Sequence, residues 1–509
     1  MPEKPNIVFI FSDQHRGDTM GAAGNTAVIT PNLDRIAAEG VHFTRCSTNS
    51  PLCMPARASM MTGLHVSQHG VWNNDLMADP KGQSHVRHIR EAGYYTSLIG
   101  KTHLWIHGGR RKGTFAEHAK DMEPLLKDWG FDFVHELTGP IASFRHNSYY
   151  TDYLAEKGIL DKHRDYLSGY IAAYMKGEVK PWEEPPCPLD PEDHLDAYTG
   201  RTAENWIRNY EGHKPFYLQV LFPGPHDPFD SPQKYRDMYN PREMPVGTME
   251  EPGEPVPPYS RMVLRWSNLQ EMTVEQKQRI RTFYYGKITL IDEYIGRIYQ
   301  ALKEKGMLDN TWIVYHSDHG EMLGDHRMSH KIVFYEEAVN IPCLFRPPAG
   351  IKGWKSAGLT DQLDVVASLL DIAGAKPLPG SESRSLVPQV SAGPGGPLSQ
   401  TGKPAVFSEV YGFSMVRDER YKLVVQAETG RPVEMFDTVN DPRELRNLVK
   451  DPALEPVRRG LIDHHLKRLF ERLEKGKYQV FREQTLEAQR EGRGPRWAQG
   501  IDFFAEGED

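Results

Sequence analysis

Cysteine is scarce in this chain, with four residues among 509. They are Cys46, Cys53, Cys187 and Cys343, too few to form the disulfide scaffold of a small secreted protein. Such sparse use of cysteine is compatible with a reducing compartment. We therefore expect a cytoplasmic protein.

The sequence also lacks long apolar or basic runs. No apolar stretch is long enough to cross a bilayer. The first residues lead into a strand-like run at 6–11 without the charged start, apolar stretch and cleavage site of a signal peptide. The formal net charge is −8, which argues against a nucleic-acid backbone as the main partner. An anionic ligand would need a local positive site.

The order of apolar runs predicts an α/β fold with a central, mainly parallel sheet flanked by helices. Strand-like runs recur at 6–11, 94–99, 216–222, 312–317 and 341–345. Helical or irregular segments separate them, which is the alternation typical of that architecture. The clearest helix is predicted over 273–305, where Thr273 and Gln276 form a capping box and Gly306 ends the helix.

Chain length and one break in composition predict two domains. A chain of 509 residues exceeds the usual size of one hydrophobic core, and 379–404 is rich in Gly, Pro and Ser, as linkers are. We predict a large domain over 1–378, this linker, a small α+β domain over 405–474 and a tail over 475–509. The tail is interpreted as an oligomerisation segment, with plain disorder as the alternative.

The segment around Cys53 is the most informative part of the sequence. Cys53 precedes Pro55, a residue that opens helices, so its side chain would lie at the positive end of a helix dipole, beside free backbone N–H groups. Arg57, one turn further on, adds a fixed positive charge. The pattern is typical of a nucleophile in an anion-binding site. Taken alone, it is more typical of a buried structural cysteine.

Two carboxylates are predicted to meet near this cysteine. Asp13 and Asp318 each follow a strand-like run, and the carboxyl ends of parallel strands lie at one edge of a sheet. Oxygen ligands of this kind suit a hard divalent cation, whereas capping a helix is the alternative role. Lys101 and His103 alternate on an extended segment, so their side chains project to the same face.

Several motifs occur together in an order and at separations typical of one family. They are Asp13-Gln14, Cys53-x-Pro55-x-Arg57, Gly100-Lys101-Thr102-His103-Leu104, Gly224-Pro225-His226-Asp227-Pro228, Ser317-Asp318-His319-Gly320-Glu321 and the later Lys331. Through them the sequence resembles the sulfatases of the alkaline phosphatase superfamily over most of its length. The resemblance implies an alkaline phosphatase-like sandwich and a sulfuric ester hydrolase.

The resemblance also implies a nucleophile and a metal. Cys53 would be oxidised to formylglycine by a formylglycine-generating or sulfatase-maturating enzyme, and the hydrated aldehyde would attack sulfur. One divalent metal would be bound by Asp13, Gln14, Asp318, His319 and the oxygen at position 53. The family more often has Asp in place of Gln14 and often Asn in place of His319. These departures leave the metal open. Calcium is expected, with manganese or magnesium as alternatives because imidazole suits calcium less well.

The other catalytic roles follow from the same resemblance. Arg57, Lys101 and Lys331 would neutralise charge on the transferring group. Lys101 and His103 would hold the formylglycine hydrate and deprotonate it. His226 would contact the sulfate and protonate the leaving alkoxide, while Lys331 would bind the same ester oxygen. Taken alone, His226 is typical of a structural histidine and Lys331 of a surface lysine.

The substrate is predicted only as a small sulfate ester. Asn74 matches an oxygen-binding asparagine of the choline sulfatase and phosphonate hydrolase branches. Trp105 is predicted to form a leaving-group wall, where its ring would attract a quaternary ammonium or stack on an aryl or sugar ring. Packing beneath the loops of 105–195 is the alternative. A homo-oligomer is expected.

Two other functions stay open at this point. A phosphonate monoester or phosphodiester hydrolase would use the same fold and site, but that branch has uncharged residues where Lys101 and His103 stand. The second alternative is an unmodified protein that binds anions without turning them over, because conversion of Cys53 depends on a separate enzyme.

Overall fold

The computed structural model of the chain describes residues 4–106, 117–490, 501 and 504. Its strands, numbered in chain order, are β1 Asn6–Asp13, β2 Val41–Phe43, β3 Cys46–Ser47, β4 Tyr95–Gly100, β5 Phe133–Glu136, β6 Phe216–Pro225, β7 Thr311–Ser317, β8 Cys343–Arg346, β9 Trp354–Ser356, β10 Thr360–Asp361, β11 Val406–Val410, β12 Phe413–Arg417, β13 Tyr421–Gln426 and β14 Pro432–Asp437.

The helices lie mostly between these strands. In chain order they are α1 Pro31–Ala38, α2 Cys53–Thr62, α3 Val66–His69, α4 His85–Glu91, α5 Glu123–Asp128, α6 Tyr149–Glu156, α7 Leu160–Lys176, α8 Leu195–Arg208, α9 Gln233–Arg236, α10 Pro258–Ser267, α11 Val274–Glu304, α12 Glu336–Val339, α13 Gln362–Ala373, α14 Val387–Ala392, α15 Glu455–Leu461, α16 Lys467–Glu471 and α17 Lys475–Arg490.

A large sheet forms the centre of the molecule. Within the described ranges its strand order is β5-β4-β6-β1-β7-β8-β2-β9. β1 runs parallel to β6 and β7, and β4 runs parallel to β5 and β6. β8 is antiparallel to both β7 and β2. The predicted α/β fold with a mainly parallel central sheet is confirmed.

The side chains of β1 show how the sheet separates two helical layers. Ile7, Phe9 and Phe11 belong to one apolar core, which includes residues of α2, α4 and α13. Val8 and Ile10 belong to the other core, which includes residues of α1, α8 and α11. Because successive side chains of a strand point to opposite faces, an unbroken apolar run is needed to bury a strand on both faces.

A second sheet lies in the C-terminal part of the chain. Its strands follow the order β11-β12-β13-β14 and all neighbours are antiparallel. One face packs against residues of α15 and α16, which is the α+β arrangement predicted for 405–474. The predicted linker 379–404 contains α14. The proposed domain bounds stay a prediction.

The predicted tail begins as a helix packed on its own chain. Tyr478 and Phe481 of α17 contact the ring of Trp72, with centroids 5.4 and 5.9 Å away. The remainder of the tail, apart from residues 501 and 504, lies outside the described residues. Its role in oligomerisation and the homo-oligomer itself stay predictions. Among the helices that the structure describes, none has the length and apolar character to span a membrane, and the cytoplasmic location stays a prediction.

Candidate active site

Four neighbouring strands bring the predicted site residues to one edge of the large sheet. β4, β6, β1 and β7 are adjacent in the sheet order, and at their carboxyl ends stand Lys101, His226, Asp13 and Asp318. This edge is where open α/β sheets place their sites. Residues about 300 positions apart in sequence therefore become neighbours because of the parallel strand pairing.

Cys53 is the first residue of α2, and Leu52 before it has an extended backbone. The helix ends at Gly63, whose φ of 66° suits a residue without a Cβ. The Cys53 side chain is buried, and its Sγ lies 3.1 Å from His319 Nε2 and 3.8 Å from Asp13 Oδ1. The predicted helix-start position of Cys53 is confirmed.

Fixed positive charges surround the two aspartates. Asp13 Oδ2 accepts hydrogen bonds from Arg57 Nη2 at 3.1 Å and from Lys101 Nζ at 2.5 Å. Arg57 Nε donates to Asp318 Oδ2 at 2.9 Å. Burial alone would raise the pKa of Asp13, but the charges of Lys101 and Arg57 hold that pKa well below its usual value. Asp13 is therefore ionised at neutral pH.

The donor set around Cys53 fits a divalent cation. Ligand atoms of Asp13, Cys53, Asp318 and His319 all lie within 4.8 Å of one another. The Nδ1 atom of His319 is 2.9 Å from the carbonyl oxygen of Gly320, a contact that fixes the ring of a metal ligand and leaves Nε2 for the ion. Burial lowers the pKa of His319 and so favours the neutral imidazole that a metal needs.

Gln14 lies beside this set. Its backbone N–H donates to Asp318 Oδ1 at 2.9 Å. The side-chain oxygen accepts a hydrogen bond from Lys331 Nζ, and the side-chain amide donates to Glu321 Oε2 at 2.5 Å. Glu321 and Lys331 therefore orient the Gln14 amide next to the cluster of ligand atoms.

Lys331 and His226 face the same site, His226 from the end of β6 and Lys331 from the loop after β7. Lys331 Nζ lies 2.7 Å from His226 Nε2. His226 Nδ1 is 2.7 Å from the carbonyl oxygen of Asp227 and 3.2 Å from its carboxylate. Burial favours neutral Asp227, but His226, His330 and Lys331 together keep its pKa well below the ordinary value.

Three further predicted site residues lie outside the cluster of metal-ligand atoms. Asn74 Oδ1 accepts the backbone N–H of Met54 at 3.0 Å, directly beside Cys53. His103 is partly exposed and has a left-handed backbone, with φ of 53°. Trp105 is 1% exposed, and its indole N–H donates to Glu136 Oε1 at 3.0 Å. Trp105 offers little surface to a ligand, and its place in the leaving-group wall stays a prediction, as do the roles of Asn74 and His103.

Some residues that build the site were not predicted from the sequence. Glu136 accepts hydrogen bonds from the backbone and hydroxyl of Thr102, next to Lys101. On α11, Lys287 Nζ donates to the carbonyl oxygens of His226 and Pro228, both at 3.0 Å. Their partners lie tens of residues away in sequence, so no local pattern identifies them.

Comparisons with known proteins agree with this geometry. A family model described as Sulfatase matches residues 5–375, and one described as N-sulphoglucosamine sulphohydrolase, C-terminal, matches residues 324–472. An arylsulfatase of Clostridium perfringens is 28% identical over 466 residues, covering 88% of this chain and 90% of that protein. A choline-sulfatase of Rhizobium meliloti is 28% identical, with 88% and 83% covered.

Among solved structures, the phosphonate monoester hydrolase of Agrobacterium radiobacter superposes with a TM-score of 0.73 at 26% identity, covering 92% of this chain and 96% of that one. The C-terminal family model, at residues 324–472, includes the strands of the second sheet. Because the Sulfatase model spans well over half of the sequence and contains the residues gathered around Cys53, the chain belongs to the sulfatase family.

Proposed function

We propose that this chain hydrolyses a sulfate monoester to an alcohol and inorganic sulfate, with formylglycine derived from Cys53 as the nucleophile. One observation carries the proposal. Position 53 lies at a helix N-terminus within 4 Å of His319 and Asp13, and Arg57 and Lys101 both bind the Asp13 carboxylate. A nucleophile held among fixed cations suits an anionic substrate.

Formylglycine would supply, as its hydrate, one hydroxyl that attacks sulfur and a second whose deprotonation releases sulfate. The Cys53 Sγ atom in the structure stands in for that hydroxyl oxygen. The unmodified thiol lacks the second hydroxyl and has no comparable route for releasing sulfate. A formylglycine-generating or sulfatase-maturating enzyme is therefore a required partner under this proposal.

The chain's own residues would divide the remaining work. Arg57 and Lys101 place positive charge beside the reacting centre, at the positive end of the α2 dipole. The free N–H groups expected at this helix start are largely taken, because Pro55 has none and the N–H of Met54 donates to Asn74 Oδ1. His103, two residues after Lys101, would take the proton of the second hydroxyl. His226 and Lys331 would meet the ester oxygen from the opposite side and protonate it as it leaves.

Asp13, Gln14, Asp318 and His319 would bind a single divalent cation, which would act as a Lewis acid on the nucleophile and the sulfate. We propose calcium, because three of these four side chains offer oxygen. Manganese and magnesium are the alternatives, since imidazole is a poorer ligand for calcium. Metal analysis of the purified protein distinguishes these ions.

A phosphonate monoester or phosphodiester hydrolase is the second candidate. The superposition on the phosphonate monoester hydrolase of Agrobacterium radiobacter favours it. Its substrate also carries one negative charge at the reacting centre. The charged pair Lys101 and His103 argues for the sulfate ester instead, because the resemblance assigns uncharged residues to these positions in that branch. Both reactions use the same nucleophile, so only substrate comparison separates them.

The test combines peptide mass spectrometry across position 53 with turnover of 4-nitrophenyl sulfate and 4-nitrophenyl phenylphosphonate. We expect formylglycine at position 53 and a higher kcat/KM for the sulfate. Cys53→Ala should abolish turnover, whereas Cys187→Ala, at another buried cysteine, should retain it.

An intact thiol in active protein would contradict the nucleophile, and an intact thiol in inactive protein that binds sulfate would identify an anion-binding protein. Preference for the phosphonate would establish the second candidate.

A further inference from the structure

A cluster of soft metal ligands lies in the core, apart from the residues assigned to catalysis. Cys46 of β3, His316 of β7 and Cys343 of β8 are each 0% exposed. One ring nitrogen of His316 and the two Sγ atoms all lie within 4.8 Å of one another. Backbone pairing fixes this arrangement. His316 and Cys343 are direct partners in the β7–β8 register, and the carbonyl oxygen of Cys46 accepts the backbone N–H of Ile341 at 2.9 Å.

The hydrogen bonding of His316 is that of a metal ligand. Nδ1 lies 2.8 Å from the carbonyl oxygen of Pro342. Histidines that bind a metal through one ring nitrogen commonly donate a hydrogen bond from the other. Nε2 is buried and makes no hydrogen bond to any residue that the structure describes. A buried polar atom without a partner is costly, and a bound ion would satisfy it.

A second buried polar atom near the cysteines also lacks a partner. Thr360 is the direct neighbour of Cys46 in the parallel β3–β10 pair, so the two side chains lie on the same face. Within the described ranges, the buried Thr360 hydroxyl has no hydrogen-bond partner. It adds a hard donor next to Cys46.

Charge balance favours a divalent ion with affinity for sulfur. Two thiolates neutralise a doubly charged ion, so the complex with a neutral imidazole carries no net charge into the apolar core. Two cysteines with one histidine is a zinc ligand set that leaves one further position. Binding would release the two thiol protons.

We propose that Cys46, His316 and Cys343 bind Zn²⁺ at a structural site separate from the Asp13 centre. The ion would join β7 to β8 and β3. Its ligand His316 lies two residues before Asp318 in the sequence. The cluster of Cys187, His194 and Asp230 offers similar ligand types but holds the ammonium of Lys287, 3.1 Å from Asp230 Oδ1. That cation repels a metal ion, so Cys187 provides a matched control.

The experiment uses the full chain carrying Cys53→Ala, which removes the only thiol of the Asp13 centre. Cobalt is exchanged in as the probe, because thiolate ligation gives an intense near-ultraviolet charge-transfer band. We expect this band in the Cys53→Ala chain. The Cys46→Ala/Cys343→Ala double variant should lose the band and should bind about one zinc ion fewer per chain. The Cys187→Ala variant should keep the band. Absence of the band, its persistence in the double variant, or a Cys46–Cys343 disulfide found by mass would overturn the proposal.

The double variant removes two core side chains and is expected to be less stable. Zinc X-ray absorption on the Cys53→Ala chain therefore provides a measurement that needs no core substitution. We expect two sulfur neighbours at about 2.3 Å and lighter neighbours at about 2.0 to 2.1 Å. A zinc ion surrounded only by nitrogen and oxygen would also overturn the proposal.

Discussion

At the residue scale, the proposed function assigns Lys331 and His226 to the leaving group. Their nitrogens lie 2.7 Å apart. An alkoxide needs a proton to leave, whereas a nitrophenolate leaves unaided. We expect Lys331→Ala and His226→Ala to lower kcat/KM by about 10²-fold or more on alkyl sulfates, with a much smaller loss on 4-nitrophenyl sulfate. Steady-state kinetics on both ester classes measure the difference. Equal losses would place these residues on the sulfate instead.

Glu136 predicts a pH dependence of stability. Burial raises the pKa of this carboxyl to about 7, despite hydrogen bonds from Thr102 and Trp105. As pH rises past 4.5, the unfolded chain releases this proton while the folded chain keeps it until about pH 7. The folded state is thus progressively destabilised across this window and loses about 3 kcal/mol relative to acidic pH.

Replacing Glu136 by Gln removes the ionisable carboxyl group while keeping a side-chain oxygen that accepts hydrogen bonds from Thr102 and Trp105. The free energy of unfolding of Glu136→Gln should therefore fall less than that of the parent between pH 4.5 and 7. Denaturant unfolding at several pH values gives the comparison, and the other carboxyl groups contribute equally to both proteins. Parallel pH profiles would show that Glu136 ionises normally in the folded chain.

Site residues can be predicted from the sequence where their chemistry is local. Cys53 and Arg57 stand one helical turn apart, and Asp13 and Asp318 directly end strands, so their approach follows from strand order. Glu136 escapes prediction although it ends β5, because no strand was predicted at 133–136 and its partner Thr102 lies 34 residues away.

At the scale of elements, α11 places the buried ammonium of Lys287 against the turn that carries His226. Lys287 donates to the carbonyl oxygens of His226 and Pro228 and to Asp230 Oδ1. The turn that carries His226 is thus fixed from the helix side. We expect Lys287→Met to lower kcat on alkyl sulfates by about tenfold or more, because small displacements of a catalytic group are costly.

A second buried lysine of the same helix provides the control. Lys277 donates to Thr248 O and to Asp325 Oδ1, away from His226. Lys277→Met and Lys287→Met should both lower the melting temperature, since each leaves a buried aspartate with one cation fewer. Only Lys287→Met should change the ratio of alkyl to aryl turnover. The same change in both variants would reduce Lys287 to a purely structural role.

Helix α11 also shows which elements a sequence can predict. The predicted span 273–305 matches Val274–Glu304, and the capping box of Thr273 and Gln276 is present. Length, periodicity and caps all agree there. The two-residue strands β3 and β10 have no periodicity of their own and form only because distant segments align, so the sequence did not predict them.

At the scale of the whole molecule, the C-terminal sheet packs directly on the segment that leads into Cys53. Leu52 shares an apolar cluster with Val410, Phe413 and Met415. The backbone N–H of Glu409 donates to Asn49 O at 2.9 Å. The predicted division into a large and a small domain follows composition along the chain. Composition carries no information on how tightly the two parts bind each other.

Buried charge strengthens this contact. Lys422 of β13 is 0% exposed, donates to Phe334 O at 2.8 Å and forms ion pairs with Glu336 and Glu444 at 2.8 and 2.5 Å. Removing the C-terminal sheet would leave Glu336 without Lys422 and without its other partner Arg417. Because the Glu336 side chain is 26% exposed, water replaces part of this loss, and the cost is smaller than for a fully buried pair.

These contacts predict that residues 1–404 will not fold alone. We expect the fragment to aggregate and to show no cooperative thermal transition by circular dichroism and size-exclusion chromatography, because the apolar cluster around Leu52 would be exposed. The matched control is the full chain with a protease site inserted in the exposed 394–398 segment. After cleavage its two parts should stay associated and keep the parent's melting transition, because the packed interface remains although the chain is cut. A soluble, monomeric 1–404 fragment with a sharp transition would instead show that the large domain is independent of the C-terminal sheet.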